Sequence, residues 1–198
     1  HEYPDYETYR QVQVAGNKAK LKMQFVKESH VEALAEYLNA AYGPTGFGLC
    51  HGTRRGLEQE WFSKHLTGSP EIIGTEISDT ADQFPNTVQW DFHEENPEWQ
   101  ARADFVYSNS WDHAYDPGKA FSAWMKSLKP GGILLLDHTK GQSPEAANAL
   151  DPFGATLDAL CDLLDTHLNE FGKVTDIIDR KKEKQYRAKV VVWQRNPT

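Results

Sequence analysis

The tract Phe47-Gly48-Leu49-Cys50-His51-Gly52-Thr53-Arg54-Arg55-Gly56 decides how this chain folds. Its first four residues read as a short buried strand, and Gly52 and Gly56 mark a tight turn. Leu57, Trp61, Phe62 and Leu66 recur at helical spacing, so a helix is expected to follow. A second strand-like run, Glu71 to Ile77, carries Glu76 near its end. Strand, glycine turn, helix, strand and terminal acid are the parts of a βαβ nucleotide site. Glycine lets the backbone approach a ligand, the helix N-terminus offers free N–H groups, and the acid accepts from ribose hydroxyls. Gly52 and Glu76 stand 24 positions apart, close to the usual separation of about 20. The turn is thin in glycine, for Arg54 stands where a richer motif has Gly.

Upstream, Ser29-His30-Val31-Glu32 has the form of a capping box. Val31, Leu34, Ala35, Leu38 and Ala41 then trace a helix that Gly43-Pro44 stops. The first 20 residues show no clean periodicity, so residues 1–28 are expected as an extension or lid on an α/β domain spanning 29–198. Downstream, Thr87 to Trp90 reads as a third strand ending in Asp91-Phe92, and Asp104 to Ser108 as a fourth ending in Asn109-Ser110-Trp111-Asp112-His113. Asp116-Pro117 opens a helix that Lys129-Pro130-Gly131-Gly132 closes, and Ile133 to Leu136 forms a fifth strand before Asp137-His138. Leu157, Leu160, Cys161, Leu164 and Leu168 mark a further helix. Val174 to Ile178 and Lys189 to Trp193 are strands joined by a charged turn, Asp179 to Arg187, expected to be a solvated hairpin. Strands alternating with helices, then a hairpin, make an open, mainly parallel α/β sheet.

A chain of 198 residues suits one large domain. The net charge of −8 argues against nucleic-acid binding, which needs a basic face. No apolar run nears the roughly 18 residues that a membrane span needs. Cys50 and Cys161 are too few for a disulfide framework, so a reducing cytoplasm is expected.

The order of motifs resembles the class I S-adenosylmethionine-dependent methyltransferases. The tract Asn109 to Pro117, with a His and an Asp-Pro before the next helix, is similar to the family's stretch after strand 4. Leu128-Lys129-Pro130-Gly131-Gly132 resembles the turn before strand 5, and the resemblance runs from about Ser29 to Trp193. It implies a seven-stranded sheet of order 3-2-1-4-5-7-6, the last strand antiparallel, with helices on both faces. It also implies S-adenosylmethionine as cofactor, S-adenosylhomocysteine as product and a small-molecule methyl acceptor. Carried over by position, Gly52, Thr53 and Gly56 would line the methionine part of the cofactor. Arg54 would turn away from that part or grip its carboxylate. Glu76 would take the ribose hydroxyls, with Ile77 against the adenine. Asp91 would accept from the adenine amine, Phe92 would cover the ring, and Ser108 and Asn109 would lie beside the sulfonium. Two departures from the family stand out: Cys50 where an acid is usual, and the reduced glycine turn with its two arginines.

Methyl transfer to a hydroxyl or amine needs alignment and a proton acceptor. His113 and His138 both follow strands at the cleft end, and His138, directly after strand 5, is the stronger candidate base. Trp111 and Tyr115 are candidates for an aromatic substrate wall, with plain packing the equal alternative. Asp112, His113, Asp137 and His138 match no metal spacing, so no metal is expected. A methyltransferase of small molecules is the leading reading; a non-catalytic nucleoside-binding protein on the same fold is the second. A nicotinamide dehydrogenase ranks last, because it leaves Pro130-Gly131-Gly132 and the final hairpin unexplained.

Overall fold

Alternation along the central strands sorts the helices onto two faces. A computed structural model describes residues 1–180 and 183–198. The strands are β1 (Phe47–His51), β2 (Glu71–Glu76), β3 (Thr87–Gln89), β4 (Ala103–Ser108), β5 (Leu128–His138), β6 (Gly172–Asp179) and β7 (Lys189–Arg195). The helices are α1 (Tyr6–Ala19), α2 (Glu28–Ala41), α3 (Leu57–His65), α4 (Pro117–Ser127) and α5 (Leu157–Leu168). Cys50, Phe105, Tyr107, Ile133, Leu135, Val190 and Val192 point to one face, where Val31, Leu34 and Leu38 of α2 and Phe62 of α3 cover them. Leu49, Val106, Leu134, Leu136, Val191 and Trp193 point to the other, under Phe121 and Trp124 of α4 and Leu160 and Leu164 of α5. Strands buried on both faces read as continuous apolar runs, which is why β4 and β5 stood out in the sequence.

The sheet order is β3-β2-β1-β4-β5-β7-β6. Neighbours from β3 to β5 pair parallel, and β7 runs antiparallel to both β5 and β6. The architecture implied by the resemblance is the one observed. Among the described residues no helix is long and apolar enough to cross a membrane.

Three local expectations are corrected. The capping box at Ser29 does not form: α2 starts at Glu28, its N-cap is Lys27, and no side chain caps it. Glu28 instead accepts from Lys64 Nζ at 2.6 Å and meets His65 Nε2 at 2.9 Å, tying α2 to α3. The Leu128-Lys129-Pro130-Gly131-Gly132 tract is not a turn outside the sheet. β5 begins at Leu128, opposite Ala103, and the register then shifts before Phe105 meets Ile133, with Gly131 at φ 79° in the extra length. The first 20 residues carry α1, whose inward residues Tyr9, Gln13 and Asn17 lie at i, i+4 and i+8. That face is aromatic and amide rather than aliphatic, so a search for apolar periodicity misses it. The charged turn expected between β6 and β7 includes Lys181 and Lys182, which lie outside the described residues.

Candidate functional site

In a sheet of this order the strand order reverses between the parallel neighbours β1 and β4, and ligands bind outside the carboxyl ends of such strands. Gly52 follows β1 and Ser110 follows β4. The Ser110 hydroxyl donates to the Gly52 carbonyl at 3.0 Å across the crevice. Gly52 sits at φ 73°, and a Cβ there would meet Ser110 Cβ at 2.7 Å. Glycine is therefore required twice over, by conformation and by contact. Gly52 and Thr53 both donate backbone N–H to the Thr75 carbonyl at 3.0 Å, which fixes the turn against β2. Arg54 adopts a left-handed φ of 50° without being glycine. Its strain is offset by anchoring: its N–H donates to Glu76 Oε2 at 3.1 Å, and its side chain to Asn17 Oδ1 at 3.1 Å and the Met23 carbonyl at 3.3 Å.

A cleft opens beside this turn, roofed by α1. Gly52 and Arg54, expected beside the methionine part of a cofactor, and Glu76, Ile77, Asp91 and Phe92, expected at its nucleoside, line it together. So do Tyr9, Gln13 and Asn17 of α1. Glu76 accepts from Arg54 N–H on one oxygen and from Ser78 N–H, at 3.2 Å, on the other. Each carboxylate oxygen can accept more than once, so lone pairs remain for a ligand. Burial raises the Glu76 pKa against these two bonds and the nearby Arg54 charge. Asp91 is different. Burial pushes its pKa up, but the His93 side chain and backbone N–H outweigh that and leave it below the usual value. Both of those bonds end on Oδ1, so Oδ2 has no donor among the described residues. His93 is held in turn, for its Nε2 accepts from Tyr115 N–H at 3.0 Å and Asp116 N–H at 3.2 Å.

The second half of the cleft shares Gly52, Arg54, Ser110 and His113 and continues past Thr53, Glu58, Asn109, Asp112, Gln142, Asp151 and Tyr186. It is rich in acids. Burial and the neighbouring Asp151 charge push the Asp112 carboxyl well above its ordinary value. His113 meets Asp151 Oδ1 at 3.0 Å through Nε2 and Gln13 Oε1 at 3.0 Å through Nδ1. Burial lowers its pKa against the pull of Asp151. Glu58, in the first turn of α3, is pushed up to about 7 by burial. Unfolded, it titrates near 4.5. Between those values the unfolded chain has released a proton that the folded chain keeps, so stability falls as pH rises through the window and is level above it. Glu58→Gln should match the parent near pH 4.5 and exceed it by about 2–3 kcal/mol at pH 8 in urea unfolding. Parallel pH profiles in the two proteins would show that Glu58 carries no such strain.

Several expected residues lie elsewhere. Gly56 caps α3 at φ 75°, against Thr87 and Gln59, and faces neither half. Ser108 is wholly buried, donating to the His51 carbonyl at 3.1 Å and accepting from Ser110 N–H at 3.0 Å. Trp111 is a core residue, wholly buried, and its Nε1 donates to the Asp137 carbonyl at 2.6 Å. Tyr115 is exposed and packs on Tyr6 and Tyr9 outside the lining. His138 falls on the same strand face as Leu134 and Leu136, which turns it from the cleft. Its ring stacks on Trp111 and its Nε2 donates to the Ala155 carbonyl at 2.7 Å. His51 shapes the turn as expected; burial lowers its pKa to about 3, and its Nδ1 lies 2.9 Å from Thr75 Oγ1.

Asp112, His113, Asp137 and His138 do not converge. Asp137 is wholly buried on the α2 face, where Oδ1 meets His30 Nε2 at 2.9 Å and Oδ2 accepts from Tyr107 and from Tyr186, the latter at 2.9 Å. This network joins residues far apart in sequence, and no local pattern announces it.

No family model matches the sequence, and no curated protein matches it. Solved structures do. A 1,6-didemethyltoxoflavin-N1-methyltransferase from Burkholderia thailandensis, with 1,6-didemethyltoxoflavin and S-adenosylhomocysteine bound, superposes with a TM-score of 0.73 at 15% identity, over 100% of this chain and 94% of that one. The N-methyltransferase NodS from Bradyrhizobium japonicum WM9, in complex with S-adenosylhomocysteine, gives 0.66 at 14% identity, over 94% and 99%. The cyclase SpnF gives 0.62 at 13% identity, over 84% and 81%. The chain has the class I S-adenosylmethionine-dependent methyltransferase fold.

Proposed function

We propose that this chain transfers a methyl group from S-adenosylmethionine to a small molecule. One observation carries the reading: Glu76, Asp91, Ile77 and Phe92 meet around a single cleft beside the Gly52 turn, and both acids keep acceptor capacity facing a ligand. Two ribose hydroxyls, one exocyclic amine and an apolar ring are what such a lining complements. Glu76 takes the ribose, Asp91 Oδ2 the amine, and Ile77 and Phe92 the ring faces. Gly52, Thr53 and Arg54 lie along the methionine portion, while Gly56 and Ser108 support the turn and the crevice from behind. When bound, the cofactor supplies a methyl group on a sulfonium, and the protein's part is to align an acceptor with it. Residues 1–28 serve as the lid, through α1. Asn109, Asp112, Asp151 and Tyr186 border the acceptor, and the net charge of −8 disfavours nucleic acid in that place. The base role is withdrawn from His138, and both nitrogens of His113 are engaged.

Arg54 lines the cleft, its Nε and one terminal nitrogen held by Asn17 and the Met23 carbonyl, and its remaining guanidinium N–H groups would give a charge-assisted bond to the cofactor carboxylate. Arg54→Ala should raise the S-adenosylhomocysteine dissociation constant about tenfold, from loss of a charge-assisted bond. Unaltered affinity by calorimetry would leave Arg54 as a strap for the N-terminal segment alone.

A binding protein that keeps the nucleoside cleft without turnover is the second reading. It is favoured by the hold of Asn17 and Met23 on Arg54, which ties up the turn. Transfer of labelled methyl from S-adenosylmethionine to a metabolite extract separates the two. Labelled product supports the enzyme, and binding without product supports the alternative.

A further inference from the structure

We propose that Asp112, His113 and Asp151 form a binding site for a divalent metal ion where the two halves of the cleft meet. One donor atom from each side chain lies within 4.8 Å of the other two. The histidine is oriented from behind. Gln13 gives its amide N–H to the Leu150 carbonyl at 2.9 Å, which turns its Oε1 toward His113 Nδ1 at 3.0 Å. Oε1 only accepts, so Nδ1 carries a proton. The other nitrogen, Nε2, then presents its lone pair to Asp151 Oδ1, a carboxylate oxygen 3.0 Å away that accepts as well. Two lone pairs at that distance repel unless a proton or a metal ion lies between them. A histidine whose far nitrogen donates to a fixed carbonyl is also the arrangement that metal-bound histidines keep.

Asp112 is the second, independent observation. It is 5% exposed, and its Oδ1 has no hydrogen-bond partner. Among the described residues neither Asp112 nor Asp151 pairs with a lysine or arginine. Arg54 is bonded to Asn17 and the Met23 carbonyl, and Lys20 lines the same space in no ion pair. Two acids and an imidazole nitrogen thus face one point with no protein cation in contact.

The spacing of the imidazole nitrogen and the Asp151 oxygen suits a metal ion better than an ammonium group bridging the two. An octahedral ion with bonds of about 2.1 Å holds adjacent donors about 3.0 Å apart, which is the Nε2–Oδ1 separation. An ammonium donates to partners at about 2.8 Å and, being tetrahedral, spreads them beyond about 4 Å. Mixed oxygen and imidazole donors suit Mn²⁺ and Zn²⁺ better than Ca²⁺, which takes oxygen alone. Both carboxylates border the acceptor half. Coordination positions that the protein does not fill open there, toward an oxygen or nitrogen of a bound molecule.

The test is titration of Mn²⁺ into the whole chain without cofactor, followed by the paramagnetic resonance of the free ion. One ion per chain is expected. Binding should weaken at least about tenfold in Asp151→Asn and in Asp112→Asn, each of which removes a charged ligand. It should be unchanged in Glu145→Gln, an exposed acid outside the cleft. Electron spin-echo modulation should detect an imidazole nitrogen on the bound ion and lose it in His113→Gln. If no ion binds, if neither Asn variant weakens binding, or if no nitrogen signal is seen, the site is overturned and the cluster holds a proton or Lys20 instead. Should Asp112→Asn fail to fold, the nitrogen signal of the unaltered protein decides. The measurement contains no cofactor and no methyl transfer, so it stands apart from the proposed reaction.

Discussion

Replacing Glu76 by alanine should weaken S-adenosylhomocysteine binding about 10- to 100-fold, because a charged acceptor of ribose hydroxyls is worth about 1.5–3 kcal/mol. The variant also removes the partner of two backbone donors, Arg54 N–H and Ser78 N–H. Glu76→Gln keeps the shape and one acceptor oxygen, so it separates loss of the ribose contact from collapse of the turn. The alanine variant should bind weakly and the glutamine variant should fall between it and the parent. Calorimetry giving the parent's affinity in both would remove Glu76 from the cofactor site and displace the neighbouring assignments with it.

Asp137→Ala should cost about 3–5 kcal/mol of folding stability, the usual penalty for breaking a buried, hydrogen-bonded charge cluster. His30, Tyr107 and Tyr186 all direct polar atoms at this one carboxylate, and none of the four is exposed enough for water to take its place. For a chain of this size that loss lowers Tm by roughly 10 °C. Urea unfolding is the better measure, since its slope also reports whether the unfolding remains two-state. A loss under about 1 kcal/mol would mean that the cluster contributes no more than ordinary surface hydrogen bonds do. Tyr186 also lines the second half of the cleft, so the same variant should loosen that wall.

The sheet was legible because its central strands β1, β4 and β5 are buried on both faces and bounded by Gly, Pro and Asx residues. Glu76 and Asp91 were legible for a related reason: a polar residue ending an apolar run marks the rim of a parallel sheet. Side-chain direction was harder. His138 ends β5 as expected, yet the two-residue period puts it beside Leu136 and onto Trp111. Counting the alternation back from the apolar run would have found this. α1 was silent because its buried positions are Tyr9, Gln13 and Asn17, and amides at helical spacing look like surface. Asp151 was passed over for another reason. It sits in a loop with no apolar pattern, and only the fold carries it to His113.

The place of β7 has a consequence for the order in which the molecule assembles. It follows β6 in the sequence, yet it lies between β5 and β6. Until Lys189 to Arg195 leaves the ribosome, the outer edge of β5 carries unpaired backbone beside Ile133, Leu134, Leu135 and Leu136, the kind of edge that recruits other chains. β6 cannot shield it, because β6 reaches the sheet only through β7. Pairing of β7 therefore converts an adhesive intermediate into a completed sheet, and slow pairing of this strand should show itself as aggregation rather than as a stable partial fold.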